Sequence, residues 1–77
     1  MEEVWIRQDP IRLDQLLKLA NWVMSGAEAK LVIQDGLVSL NGQVCLMRGK
    51  KVHPGDRVDF EDQSLLVKMA SDESDES

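Results

Sequence analysis

Ser25-Gly26-Ala27-Glu28-Ala29-Lys30-Leu31-Val32-Ile33-Gln34-Asp35-Gly36-Leu37-Val38-Ser39-Leu40-Asn41-Gly42 holds a helix start, a helix stop and a hairpin turn in one continuous run. Ser25 and Glu28 have the spacing of a capping box, in which each side chain satisfies an orphan N–H at the helix start. Ala29, Val32 and Ile33 supply one apolar face. Gly36 is suited to the left-handed position after the last turn, with Leu37 as its apolar companion. Beyond it the period changes: Val38 and Leu40 alternate with Ser39, and Asn41-Gly42 is the strongest short hairpin signal.

Upstream, Val4-Trp5-Ile6 is a short β-prone run. Asp9-Pro10 has the chemistry of a helix start, an acidic N-cap followed by a proline whose missing N–H costs nothing. Leu13, Leu16, Leu17 and Ala20 follow at helical spacing and predict a first helix ending near Ala20 or Asn21. Two helices joined by a few residues should pack as a helix–turn–helix pair. Downstream, Val44 and Leu46 resume the alternation after the hairpin turn, and His53-Pro54-Gly55-Asp56 makes a second turn. Val58 and Phe60, then Leu65, Val67 and Met69, alternate as two further strands. The order predicted is β-αα-ββββ, an α+β domain with helices on one side of a small, curved, largely antiparallel sheet. Residues 1–3 and the Asp/Glu/Ser segment 71–77 are expected to be disordered, leaving 4–70 as one domain.

The 77-residue chain is near the lower limit for a fold held by one apolar core. Its single cysteine, Cys45, and single histidine, His53, exclude an internal disulfide, a Cys-rich zinc site and a His-based metal cluster. These counts suit a reducing, cytosolic setting. Charged residues at the amino end argue against a secretory leader, and no apolar stretch approaches the roughly 20 residues of a membrane span. Net charge is −5, but Glu2, Glu3, Asp72, Glu73, Asp75 and Glu76 lie at the ends. Between Val4 and Ala70 eight acids face nine bases, and from Val38 to His53 there is no acid at all. Arg48-Gly49-Lys50-Lys51 falls in that acid-free stretch.

Such a loop suits a phosphate backbone: Arg forks onto phosphate or a base edge, and Lys supplies a mobile point charge. Gly49 would let the backbone approach a ligand closely. The amino end of the second helix, with Gly26 and Ala27 bare and Lys30 one turn on, offers N–H groups and positive dipole to an anion. Ser25 and Glu28 cap that end, and Glu28 occupies part of the same field. The expectation is that this helix end and the cationic loop share a face. Arg12 and Lys18 add charge on the first helix, although Arg12 has Asp9 and Asp14 near it as partners. Trp5 and Trp22 are read as core or near-core residues, Cys45 as half-buried, and His53 as a turn residue without partners for catalysis.

Arg12-Leu13-Asp14-Gln15-Leu16-Leu17, Ser25 through Ala29, Ile33-x-x-Gly36-x-Val38-x-Leu40-Asn41-Gly42 and Val52-x-Pro54-Gly55-Asp56-x-Val58, in this order, resemble the S-four RNA-binding domain. That domain is named for a small-subunit ribosomal protein and built on the αL motif; this chain is most similar to its short stand-alone bacterial members. The resemblance implies a domain that binds structured RNA, ribosomal or transfer RNA, without catalytic residues or cofactor. It maps the RNA face onto Arg12, Lys18, Ser25, Gly26, Lys30, Arg48, Lys50 and Lys51. Met47 stands where relatives tend to carry another cation, and the acidic tail is outside the family pattern.

The leading expectation is therefore a cytoplasmic, monomeric, non-catalytic module for structured RNA, recognising shape and phosphate more than base edges. Four neutralised phosphates on a single strand would give a salt slope of about −3. The alternative is a protein–protein adaptor in ribosome or RNA-processing assemblies, its acidic tail docking a basic partner such as a ribosomal or RNA-modifying protein. The two separate on cutting the chain after Ala70, which should abolish partner capture by an adaptor and leave or improve RNA binding.

Overall fold

Period-two patterning places Val4 and Ile6 on one side of a strand, and in the computed structural model, which describes residues 1–70, both are buried. That strand, β1 (Glu2–Ile6), begins earlier than expected: residues 2 and 3 belong to it rather than to a disordered end. It pairs in parallel with the last strand, β7 (Gln63–Met69), which supplies hydrogen-bonding partners for its whole length. The expected tail at residues 71–77 lies outside the described residues.

The first helix, α1 (Leu13–Leu19), starts later than Asp9-Pro10 predicts. Ile11–Arg12 forms a short strand, β2, antiparallel to β5 (Lys51–Val52), so the backbone there is committed to a ladder. The Asp9 carboxylate meets His53 Nδ1 at 2.9 Å instead of capping a helix. Extended Arg12 is the N-cap, with no side-chain cap bond. The helix ends as expected at Ala20, where Asn21 (φ 62°) takes the left-handed position and Trp22 N–H donates to Leu17 O. The second helix, α2 (Gly26–Gln34), ends in the motif read from Gly36: Leu37 N–H donates to Val32 O and Gly36 N–H to Ile33 O.

After it come β3 (Val38–Leu40), β4 (Gln43–Val44) and β6 (Arg57–Phe60). The larger sheet has the order β1-β7-β6-β3-β4, antiparallel except for β1 with β7; β2 and β5 form a separate two-stranded ladder. Asn41 (φ 53°) and Gly42 (φ 88°) make the hairpin turn between β3 and β4. The strand expected to continue through Leu46 ends at Val44; β4 is an edge strand among the described residues, and Val44 and Leu46 are exposed. The fold is α+β, two helices with a mostly antiparallel sheet.

One apolar core joins the sheet's inner face (Val4, Ile6, Val38, Val58, Leu65, Val67) to Leu13, Leu16, Leu17, Ala29 and Ile33 of the helices. Trp22 packs against Phe60 with ring centroids 5.9 Å apart, near the core as expected. Trp5 is not in the core: with Val4 and Ile6 facing inward, it falls on the opposite face, is 54% exposed, and lies 5.8 Å from Lys68 Nζ. Cys45 is half-buried, as the sequence suggested. No helix among the described residues is long and apolar enough to cross a membrane.

Candidate nucleic-acid interface

The cationic loop is held by its backbone, which leaves its side chains outward. Leu13 N–H donates to Lys50 O (2.9 Å) and Asp14 N–H to Arg48 O (3.0 Å), so two orphan donors at the start of α1 are satisfied by carbonyls of the loop. Lys50 N–H closes a tight turn onto Met47 O. Arg12 lies opposite Lys51 in the β2–β5 ladder, and its guanidinium reaches Asp14 Oδ2 at 3.0 Å. Of the two partners suggested in the sequence Asp14 is realised, whereas Asp9 meets His53, and Arg12 remains exposed. A Cβ built on Gly49 would meet Arg12 Nη2 at 3.8 Å, an ordinary contact. Sterics alone do not require glycine there.

Arg12, Arg48, Lys50 and Lys51 are therefore brought together around the amino end of α1. The expected convergence of the loop with the amino end of α2 finds no such link: no hydrogen bond or ion pair among the described residues joins Ser25, Gly26 or Lys30 to it. The α2 side meets the hairpin at its other end, where a Cβ on Gly36 would lie 3.8 Å from Val44 Cγ1. At its amino end Ser25 Oγ accepts from Glu28 N–H, and Glu28 Oε1 accepts from Met24 N–H, one residue before the usual reciprocal donor. Lys18 lies in the last turn of α1 and is exposed. Lys18, Lys30, Arg48, Lys50 and Lys51 enter no ion pair with a described residue.

Beside the loop is a cleft of about 580 Å³ between the hairpin turn and the segment after β5, lined by Leu40, Asn41, Gln43, Lys50, Lys51, His53 and Asp56. A smaller, more apolar hollow of about 240 Å³ adjoins it and shares Leu40, Gln43 and Lys50. One carboxylate fixes both rims: Asp56 Oδ1 accepts from Asn41 Nδ2 (3.1 Å) and Oδ2 accepts from His53 N–H (2.8 Å). Asn41 Oδ1 in turn accepts from Arg57 N–H. Sequence reasoning treated Asn41, His53 and Asp56 as turn residues and passed over Gln43. Only the polar residues at both turns hinted that the turns would meet.

A model of the S4 domain matches residues 4–68. The chain belongs to the S4 domain family. In Escherichia coli (strain K12) the relative named "Putative RNA-binding protein YbcJ" is 39% identical over 57 residues, covering 74% of this chain and 81% of its own. The solution structure of E. coli YbcJ, described as revealing an αL motif involved in RNA binding, superposes with a TM-score of 0.69 at 35% identity, over 88% of this chain and 87% of that one. A pseudouridylate synthase crystal structure matches with a TM-score of 0.66 at 25% identity; 73% of this chain is covered, but only 24% of the synthase. The trimeric Vibrio cholerae Heat Shock Protein 15 shares the fold, with a TM-score of 0.70 at 24% identity over 83% of this chain and 68% of that one. This chain combines the helix pair, the Asn-Gly hairpin and the docked loop in one small unit.

Proposed function

We propose that this protein is a non-catalytic RNA-binding module that takes structured RNA, ribosomal or transfer RNA, on the face built by Arg12, Arg48, Lys50 and Lys51. Lys18, Ser25, Gly26 and Lys30 on the helices are included in this reading as further RNA contacts. The observation that carries this reading is the cationic loop itself. Its main chain is pinned to α1 by two hydrogen bonds, and Arg48, Lys50 and Lys51 are exposed without an acidic partner among the described residues. A loop with a fixed main chain and uncompensated charges suits a polyanion, because little backbone ordering is needed when phosphates arrive. Family membership and the RNA binding ascribed to YbcJ support the same reading. The synthase match, confined to a quarter of that enzyme, fits a domain that serves chemistry located elsewhere.

The test is fluorescence anisotropy with ribosomal RNA fragments and transfer RNA, using Arg48→Ala/Lys50→Ala/Lys51→Ala with circular dichroism as a check on folding. Loss of three phosphate contacts should lower affinity at least tenfold and reduce the salt slope by about 2. Unchanged affinity in a folded triple variant removes the proposed face.

A further inference from the structure

Two side-chain amides border the cleft, and their states differ. Asn41 is engaged at both ends of its amide: its Nδ2 donates to Asp56 and its Oδ1 accepts from Arg57 N–H. Gln43, two residues on, is exposed, and its side chain makes no hydrogen bond to any described residue. Its backbone is set in register opposite Leu40, directly after a turn locked by Asn41. Lys50 and Lys51 line the same cleft. We infer that Gln43 reads the base of an unpaired RNA nucleotide whose phosphate is held in this cleft by Lys50 and Lys51. The inference rests on the RNA-binding reading above and specifies what that site selects.

The chemistry divides cleanly among the lining residues. A lysine ammonium is a point charge that neutralises phosphate but carries no planar pattern. A glutamine amide presents a donor and an acceptor in one plane. That pattern matches N6 and N7 of adenine and, on an unpaired base, also N4 and N3 of cytosine or O4 and N3 of uracil, the cleft's geometry setting which is taken. Leu40 offers an apolar contact for the face of a base. The cleft, about 580 Å³ and open to solvent, has room for a single nucleotide. Bases stacked in an A-form helix keep their edges in grooves that side chains read poorly, whereas loops, bulges and ends can present a base to a cleft. The site therefore selects a nucleotide outside the duplex.

Three RNA hairpins with one common stem and a loop made only of adenine, cytosine or uracil test this by fluorescence anisotropy. The proteins are the wild type, Gln43→Ala, the near-isosteric Gln43→Met, and Lys50→Ala/Lys51→Ala. The wild type should bind one of the three loops about fivefold or more tighter than the others. Both Gln43 variants should bind all three loops alike with the wild-type salt slope, and the lysine variant should weaken all three and flatten the slope by about 1.4. If the lysine variant binds every hairpin as the wild type does, the RNA face itself is wrong and this inference falls with it. If the lysines matter but the wild type shows no preference among the three loops, or Gln43→Met keeps one, only the role of Gln43 is overturned.

Discussion

Asp56 joins two turns with a single carboxylate, holding Asn41 on one side and the His53 main chain on the other. Each such bond contributes about 0.5–1.5 kcal/mol, so Asp56→Ala should cost about 2 kcal/mol in urea unfolding. Asp56→Asn keeps one acceptor oxygen and should lose about half as much; equal stability of wild type and Asp56→Ala would show the bridge to be idle. Asp59 is a different case. The Ser64 hydroxyl, donating at 2.6 Å, lowers its carboxyl below the ordinary 3.8 despite some opposing desolvation, and Arg57 adds to the effect. A folded-state value below the unfolded one gives stability that is complete above the unfolded range and lost as pH falls through the folded value. Asp59→Asn should therefore flatten the stability profile below about pH 4 and leave its shape near neutrality unchanged. A wild-type acid limb in that variant would contradict this assignment.

Elements show the same dependence on local geometry. Gly36 sits at φ +79° after α2, and a Cβ there would find only ordinary contacts. The cost of Gly36→Ala is thus conformational, about 1–2 kcal/mol, and thermal unfolding should report it. A variant as stable as the wild type would mean that α2 ends without this left-handed residue. Gly36, like the Ser25–Glu28 cap and the Asn41-Gly42 turn, was legible in the sequence because each chemistry acts within a few residues. Val58 and Phe60 of β6 and Leu65 and Val67 of β7 were legible as inward residues because their alternation is long enough to count, whereas Met69, read in the same alternation, is exposed. Ile11–Arg12 and Lys51–Val52 were not, since two-residue strands have no period and their pairing spans forty residues of chain. The cationic residues of the loop could be named in advance, but not their placement against α1. That placement depends on the carbonyls of Arg48 and Lys50, and every residue has a carbonyl.

For the whole molecule, charge is distributed by position in the chain more than by total. Residues 71–77 contribute Asp72, Glu73, Asp75 and Glu76, and removing these four acids from a net charge of −5 leaves −1. They follow Ala70, whose N–H bonds Ile6 O at the end of the sheet where Gly55 N–H bonds Val67 O, close to the turn that rims the cleft. Cutting after Ala70 should tighten RNA binding a few-fold at about 0.05 M salt, with the gain fading as screening shortens near 0.5 M. Weaker binding at low salt would rule out charge repulsion by this segment. The parallel pairing of β1 with β7 also sets an order of events during synthesis. Its partners are sixty-three positions apart, so at about 5–20 residues per second the first strand waits roughly 3–13 s for the last to be made. Through that interval Val4 and Ile6 have no β7 to pair beside, and β1 is open to a chaperone or a neighbouring chain.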